Sequence, residues 1–70
     1  MPQYYFIIEM PDHTYDDPEG EPLPSDVAAK DYGRRVIREL KESDCELTGA
    51  VLRVTDESGQ TIDSIPFWLP

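Results

Sequence analysis

Residues 3–10, QYYFIIEM, alternate in the manner of a half-buried strand. Tyr4, Phe6, Ile8 and Met10 fall on one side, and Tyr5, Ile7 and Glu9 on the other. The aromatic and β-branched content fits a pleated surface. The first side is the better core face, and the apolar Tyr5 and Ile7 predict partial cover on the second, as in a central strand. Residues 50–55, AVLRVT, alternate again, with Ala50, Leu52 and Val54 together. Residues 60–67, QTIDSIPF, form the return strand of a hairpin around Asp56-Glu57-Ser58-Gly59. Its apolar positions Ile62, Ile65 and Phe67 break period two, which predicts a bulge near Asp63-Ser64.

A different period governs the middle of the chain. Ser25 is a suitable N-cap, and Asp26 follows in the first turn, where the helix dipole favours an anion. A helix is predicted over residues 26–42. Ala29, Gly33, Val36 and Leu40 share a narrow arc, with Tyr32 and Ile37 at its edges. Lys30, Arg34, Arg38 and Lys41 fall on the opposite face. Between the first strand and this helix, residues 13–17 read as a short second strand closing a hairpin. Pro18, Pro22 and Pro24 rule out long ladder pairing beyond it.

The predicted order is ββαββ. It describes one α+β domain over residues 1–70, a four-stranded, mainly antiparallel sheet with one helix packed on one face. Seventy residues leave no room for a second domain. A chain this small supports its core only marginally, and small domains often add disulfides, a metal or a partner subunit. Cys45 is the only cysteine, so a disulfide within the chain is excluded. A lone cysteine fits a reducing compartment. The first ten residues lack the basic flank of a signal peptide, and no apolar run reaches the length of a membrane span. A cytoplasmic setting is expected, with no membrane partner.

Charge divides the chain unevenly. The formal net charge is −9. Residues 1–29 hold Glu9, Asp12, Asp16, Asp17, Glu19, Glu21 and Asp26 and no Lys or Arg. Lys30, Arg34, Arg35, Arg38 and Lys41 crowd into the helix. The negative balance argues against nucleic acid, whose affinity comes largely from cations displacing counterions.

The acidic stretch over residues 9–24 is the first place to look for chemistry. Its carboxylates could serve calcium, but their spacing departs from the EF-hand loop, and four prolines stiffen the backbone. His13 is the only imidazole, too few nitrogen ligands for a transition-metal centre. Cys45 lies between Asp44 and Glu46, which oppose formation of a thiolate. No glycine-rich phosphate cradle is present. No enzyme activity, metal or cofactor is expected. What remains is interaction with a protein partner or with a second copy. The candidate surface is the basic row Lys30, Arg34, Arg38 and Lys41, with Tyr5 and Ile7 on the second sheet face and Trp68 near the end. The alternative is a small ligand- or metal-binding domain using the acidic hairpin around His13.

Three motifs stand in order along the chain: Met1-Pro2-Gln3-Tyr4-Tyr5-Phe6 at the start, Asp17-Pro18-Glu19-Gly20 followed by Leu23-Pro24 before the helix, and Val54-Thr55-Asp56-Glu57-Ser58-Gly59 with the later Pro66-Phe67. On these motifs the chain resembles a short bacterial family of about 70 residues, a domain of unknown function common in alphaproteobacteria. The resemblance implies domain limits close to the chain's own and a cytosolic setting, and it implies no activity, catalytic residue or cofactor.

Overall fold

The computed structural model describes residues 1–42 and 49–67; the segments 43–48, with Cys45, and 68–70, with Trp68, lie outside the described residues. Strand β1 (Gln3–Glu9) is followed by two very short strands, β2 (Thr14–Tyr15) and β3 (Glu21–Pro22). Helix α1 (Asp26–Glu42) comes next, then the hairpin of β4 (Val51–Thr55) and β5 (Thr61–Pro66). The sheet is antiparallel throughout, in the order β2-β1-β4-β5, and β3 pairs with the same edge of β1 as β2 does. This is the expected α+β architecture with one short strand added. The prolines limit pairing after β1 to two residues each, Ile8 and Glu9 with β2 and Gln3 and Tyr4 with β3.

β1 is central, as its two apolar faces imply. Its register against β4 sets Phe6 beside Val54 and Ile8 beside Leu52. These residues face the helix. Leu52 and Val54 are fully buried. Ile37, Ala50, Ile65 and Phe67 complete one core cluster with Leu52, and Tyr4, Ala29 and Val54 form the other. Phe6 packs against both clusters, and its ring lies 4.8 Å from that of Tyr32.

The helix spans the predicted residues, and the Ser25 Oγ accepts from Ala28 N–H at 3.2 Å, the N-cap bond. Its buried residues are Ala29, Gly33 and Ile37, with Val36 and Leu40 only partly covered. The buried arc therefore centres nearer Ile37 than the sequence pattern indicates. The reason is that α1 packs chiefly over β4 and β5. The irregularity in β5 is present, but its place differs. Val54 pairs with Asp63 and Thr55 with Thr61, so Ile62 is the extra residue, just before the predicted Asp63-Ser64.

Tyr4 ties β1 to the start of the helix. Its hydroxyl donates to Asp26 Oδ1 at 2.7 Å. That bond, burial and the charges of Asp26, Asp56 and Glu57 push the phenol pKa up to about 12. A tyrosine whose pKa is raised on folding stabilises the protein fully below its ordinary value of 10, and that contribution fades as pH rises through 12. Thermal melts should therefore lose stability between these two values in wild type. Tyr4→Phe should start less stable and show a flatter dependence over the same window, and equal slopes would refute the coupling.

Candidate functional site

Two regions were open as sites, the acidic stretch and the basic helix row. The acidic stretch has a structural occupation. Between β2 and β3 the outer edge of β1 has no strand beside it. Asp17 fills that gap: its Oδ2 accepts from Phe6 N–H at 3.2 Å, and its Oδ1 accepts from Gly20 N–H at 3.1 Å. One carboxylate thus supplies a rung of the ladder and closes the turn that starts β3. Gln3 adds a bond from its Nε2 to the Glu19 carbonyl at 2.9 Å. At the other end, Asp12 Oδ1 lies 2.6 Å from His13 Nδ1, and this hydrogen bond, with the charge of His13, holds the Asp12 carboxyl below its ordinary value. The His13 ring meets Tyr15 edge-on at 4.7 Å. Among the described residues no three His, Cys, Asp or Glu side chains gather where a metal ion could sit.

A third carboxylate does similar work in the β4–β5 hairpin. Asp56 Oδ1 accepts from Ser58 N–H, Ser58 Oγ and Gln60 N–H at 3.0, 2.7 and 2.9 Å. The Ser58 and Gln60 bonds lower its pKa. The stretches Asp17–Gly20 and Asp56–Gly59 are thus both turn chemistry, in which an aspartate side chain collects the backbone donors of its own loop.

The basic row is different. Arg34, Arg38 and Lys41 do not stand opposite the core. With the buried arc turned toward Ile37, they line an open groove of about 410 Å³ between α1 and β5. Ile37, Ile65 and Pro66 give the groove apolar surface, and Asp63 and Ser64 line its β5 side. Arg34 and Arg38 are exposed and form no ion pair with any described residue. Lys30 is exposed too but is not part of the groove. One oxygen of Asp63, Oδ2, is buried and has no hydrogen-bond partner among the described residues.

Tyr5 and Ile7 do not join this surface. The β1–β4 register puts them on the other sheet face, across from Thr55 and Arg53. Both are half-buried. Arg53 lies 3.7 Å from Glu9 on that face, a partly exposed pair of small energetic weight. Trp68 lies outside the described residues. The sequence-derived candidates therefore separate into a groove on one flank and an apolar pair beneath the sheet. Sequence reasoning missed the β5 wall of Asp63, Ser64, Ile65 and Pro66. The broken period in residues 60–67 was the available signal: a strand that loses alternation beside a proline is a candidate edge strand.

A model of a family described only as a domain of unknown function, DUF6894, matches residues 3–68. The chain belongs to the DUF6894 family. The DUF6894 match takes in both walls of the groove, the Asp17 turn and the Asp56 turn. No curated protein and no solved structure matches the chain. Among the described residues no helix is long and apolar enough to cross a membrane.

Proposed function

We propose that the chain is a non-enzymatic interaction module of the cytoplasm that holds an acidic segment of a partner protein in the α1–β5 groove. The observation that carries this reading is the pair Arg34 and Arg38. Both stand exposed on a groove with apolar lining, without an ion partner among the described residues, in a chain of formal net charge −9. In so acidic a protein, carboxylates are abundant enough to neutralise every cation on the surface. Two arginines left open beside apolar surface suit recognition of an anionic group, which their planar forks bind in bidentate fashion.

The overall charge does not veto an acidic partner. At about 0.1 M salt the Debye length is about 10 Å, so the partner feels the groove more than the far acidic turns. Catalysis finds no support in the shifted groups. Asp12 and Asp56 are pushed toward staying ionised, and Tyr4 toward staying protonated, each away from the neutral range that proton transfer favours. A second copy of the chain is one candidate partner, since each carries an acidic stretch and a groove.

The chain's own residues 9–24, as a synthetic peptide, supply an acidic probe with six carboxylates and no Lys or Arg. Titrated against labelled protein by NMR at about 50 mM salt, the peptide should shift resonances along α1 and β5. The shifts should shrink at about 500 mM salt, where screening is severalfold stronger. In the double variant Arg34→Glu/Arg38→Glu they should vanish, with the fold intact by circular dichroism. Shifts that persist in the double variant would remove the groove as the binding surface. Light scattering on the wild type alone then reports whether a second copy is the natural partner.

A further inference from the structure

Among the described residues β5 forms an edge of the sheet beside this groove, and along the groove its N–H donors are withheld from strand addition. In the order β2-β1-β4-β5, β5 is an edge strand. Phe67 N–H donates to the Ala50 carbonyl at 3.0 Å, so the antiparallel alternation turns the backbone of Ser64 and Pro66 away from β4. Along the groove wall, residues 63–66, these are the two positions where an incoming strand would look for N–H donors. Pro66 has none. Ser64 N–H already donates to Asp63 Oδ1 at 3.0 Å. An extended peptide laid along β5 would find neither donor, and such blocking is how proteins protect an open edge.

The groove is nonetheless lined for binding. Arg34, Arg38 and Lys41 follow one another at i, i+4 and i+7 along α1, a row about 10 Å long. Lys41 has a further interaction within the chain, so Arg34 and Arg38 carry the argument. With both N–H donors beside the groove withheld, an extended partner would gain only half of the usual ladder there, and recognition falls mainly to side chains. A segment that spends its backbone hydrogen bonds internally and presents carboxylates at the same spacing is a helix. We infer that the partner segment is an acidic amphipathic helix. Its carboxylates, about one turn apart, meet Arg34 and Arg38, and its apolar row rests on Ile37, Ile65 and Pro66.

This inference rests on the groove reading above, and its test separates the two. Two synthetic peptides of equal composition are titrated by NMR at about 50 mM salt. One is an alanine-based helix with Glu at i, i+4 and i+7 and Leu along the adjacent row; the other is a scrambled version. The registered helix should bind about tenfold tighter than the scrambled peptide, the effect of aligning two charge pairs and one apolar row. It should lose that advantage in Arg34→Glu/Arg38→Glu. Pro66→Val, which restores an edge N–H, should let the extended 9–24 peptide bind more tightly than it does to wild type, because the block on the edge is then lifted. Equal binding of the two peptides would overturn the helix inference while sparing the groove. Unchanged binding of the 9–24 peptide in Pro66→Val would remove the closed edge as the reason for a helical partner. No binding of either helix-test peptide or of the 9–24 peptide would overturn both readings.

Discussion

Gly20→Ala is expected to cost about 2–5 kcal/mol, much of the stability that a domain of this size holds. Two effects combine. Gly20 has φ +73°, a left-handed conformation that costs residues with a Cβ about 1–2 kcal/mol. A methyl group there would also lie 2.8 Å from the Tyr4 carbonyl oxygen and 2.8 Å from the Tyr5 ring. The Tyr5 ring can swing aside, but the carbonyl belongs to β1 and cannot move without disturbing the Tyr4–Glu21 pairing. The same shift would pull Gly20 N–H from Asp17 Oδ1, and Asp17 would lose its hold on Phe6 N–H. Denaturant unfolding should show a midpoint lowered in proportion to that loss, with the slope unchanged. A loss under 1 kcal/mol would mean that the turn relaxes freely and that Asp17 contributes little. Because Asp17 is built into this turn, any ligand titration altered by Asp17→Asn reports on the fold first. Asp12 and Asp16, both exposed, are the cleaner positions for testing cation binding.

Much of this architecture can be read from the amino-acid order. The alternation in residues 3–10 identifies a strand with a helix-facing side, and Ser25-Asp26 with the 3.6-period arc locates α1. These signals are legible because they are local: each depends on a propensity or a period within one segment. What stayed hidden depends on how segments meet. Whether Ile37 is central or marginal in the helix stripe depends on which strands α1 covers, and the helix pattern alone fits several tilts. Whether Arg34 and Arg38 stand opposite the core or line a groove follows from the same tilt. Asp17 looks like one carboxylate among six until Phe6 N–H is found facing a gap in the sheet. A side chain standing in for a missing strand has no signature in period or composition. The prolines at 18, 22 and 24 carried half of that message: they announced short pairing without saying what would satisfy the donors left over.

The seat of the helix is also the point where fold and groove can be tested together. Gly33 faces the sheet at close range to β4 and β5. A Cβ added there would lie 3.2 Å from Val54 Cγ2, 3.3 Å from Ile65 Cδ1 and 3.4 Å from Leu52 Cδ2. Gly33→Ala sets two comparable effects against each other. Alanine gains about 1 kcal/mol of helix propensity, and the tight contacts take back a similar amount, so the net change should be within about 1 kcal/mol of zero. Gly33→Leu has no such balance. Its additional atoms would enter space held by Leu52 and Val54, which are fully buried and packed on every side. Overpacking of this kind should cost about 3 kcal/mol, and the relief open to the molecule is to lift α1 from β4 and β5. Lifting the helix widens the α1–β5 groove and carries Arg34 and Arg38 away from Ile65 and Pro66. Gly33→Leu should therefore lower the melting temperature by more than 10 °C and weaken acidic-peptide binding in the surviving folded fraction. Gly33→Ala should retain both properties. If Gly33→Leu lost stability yet bound as wild type, the arginines alone would carry recognition, and the apolar lining of the groove would have no part in it.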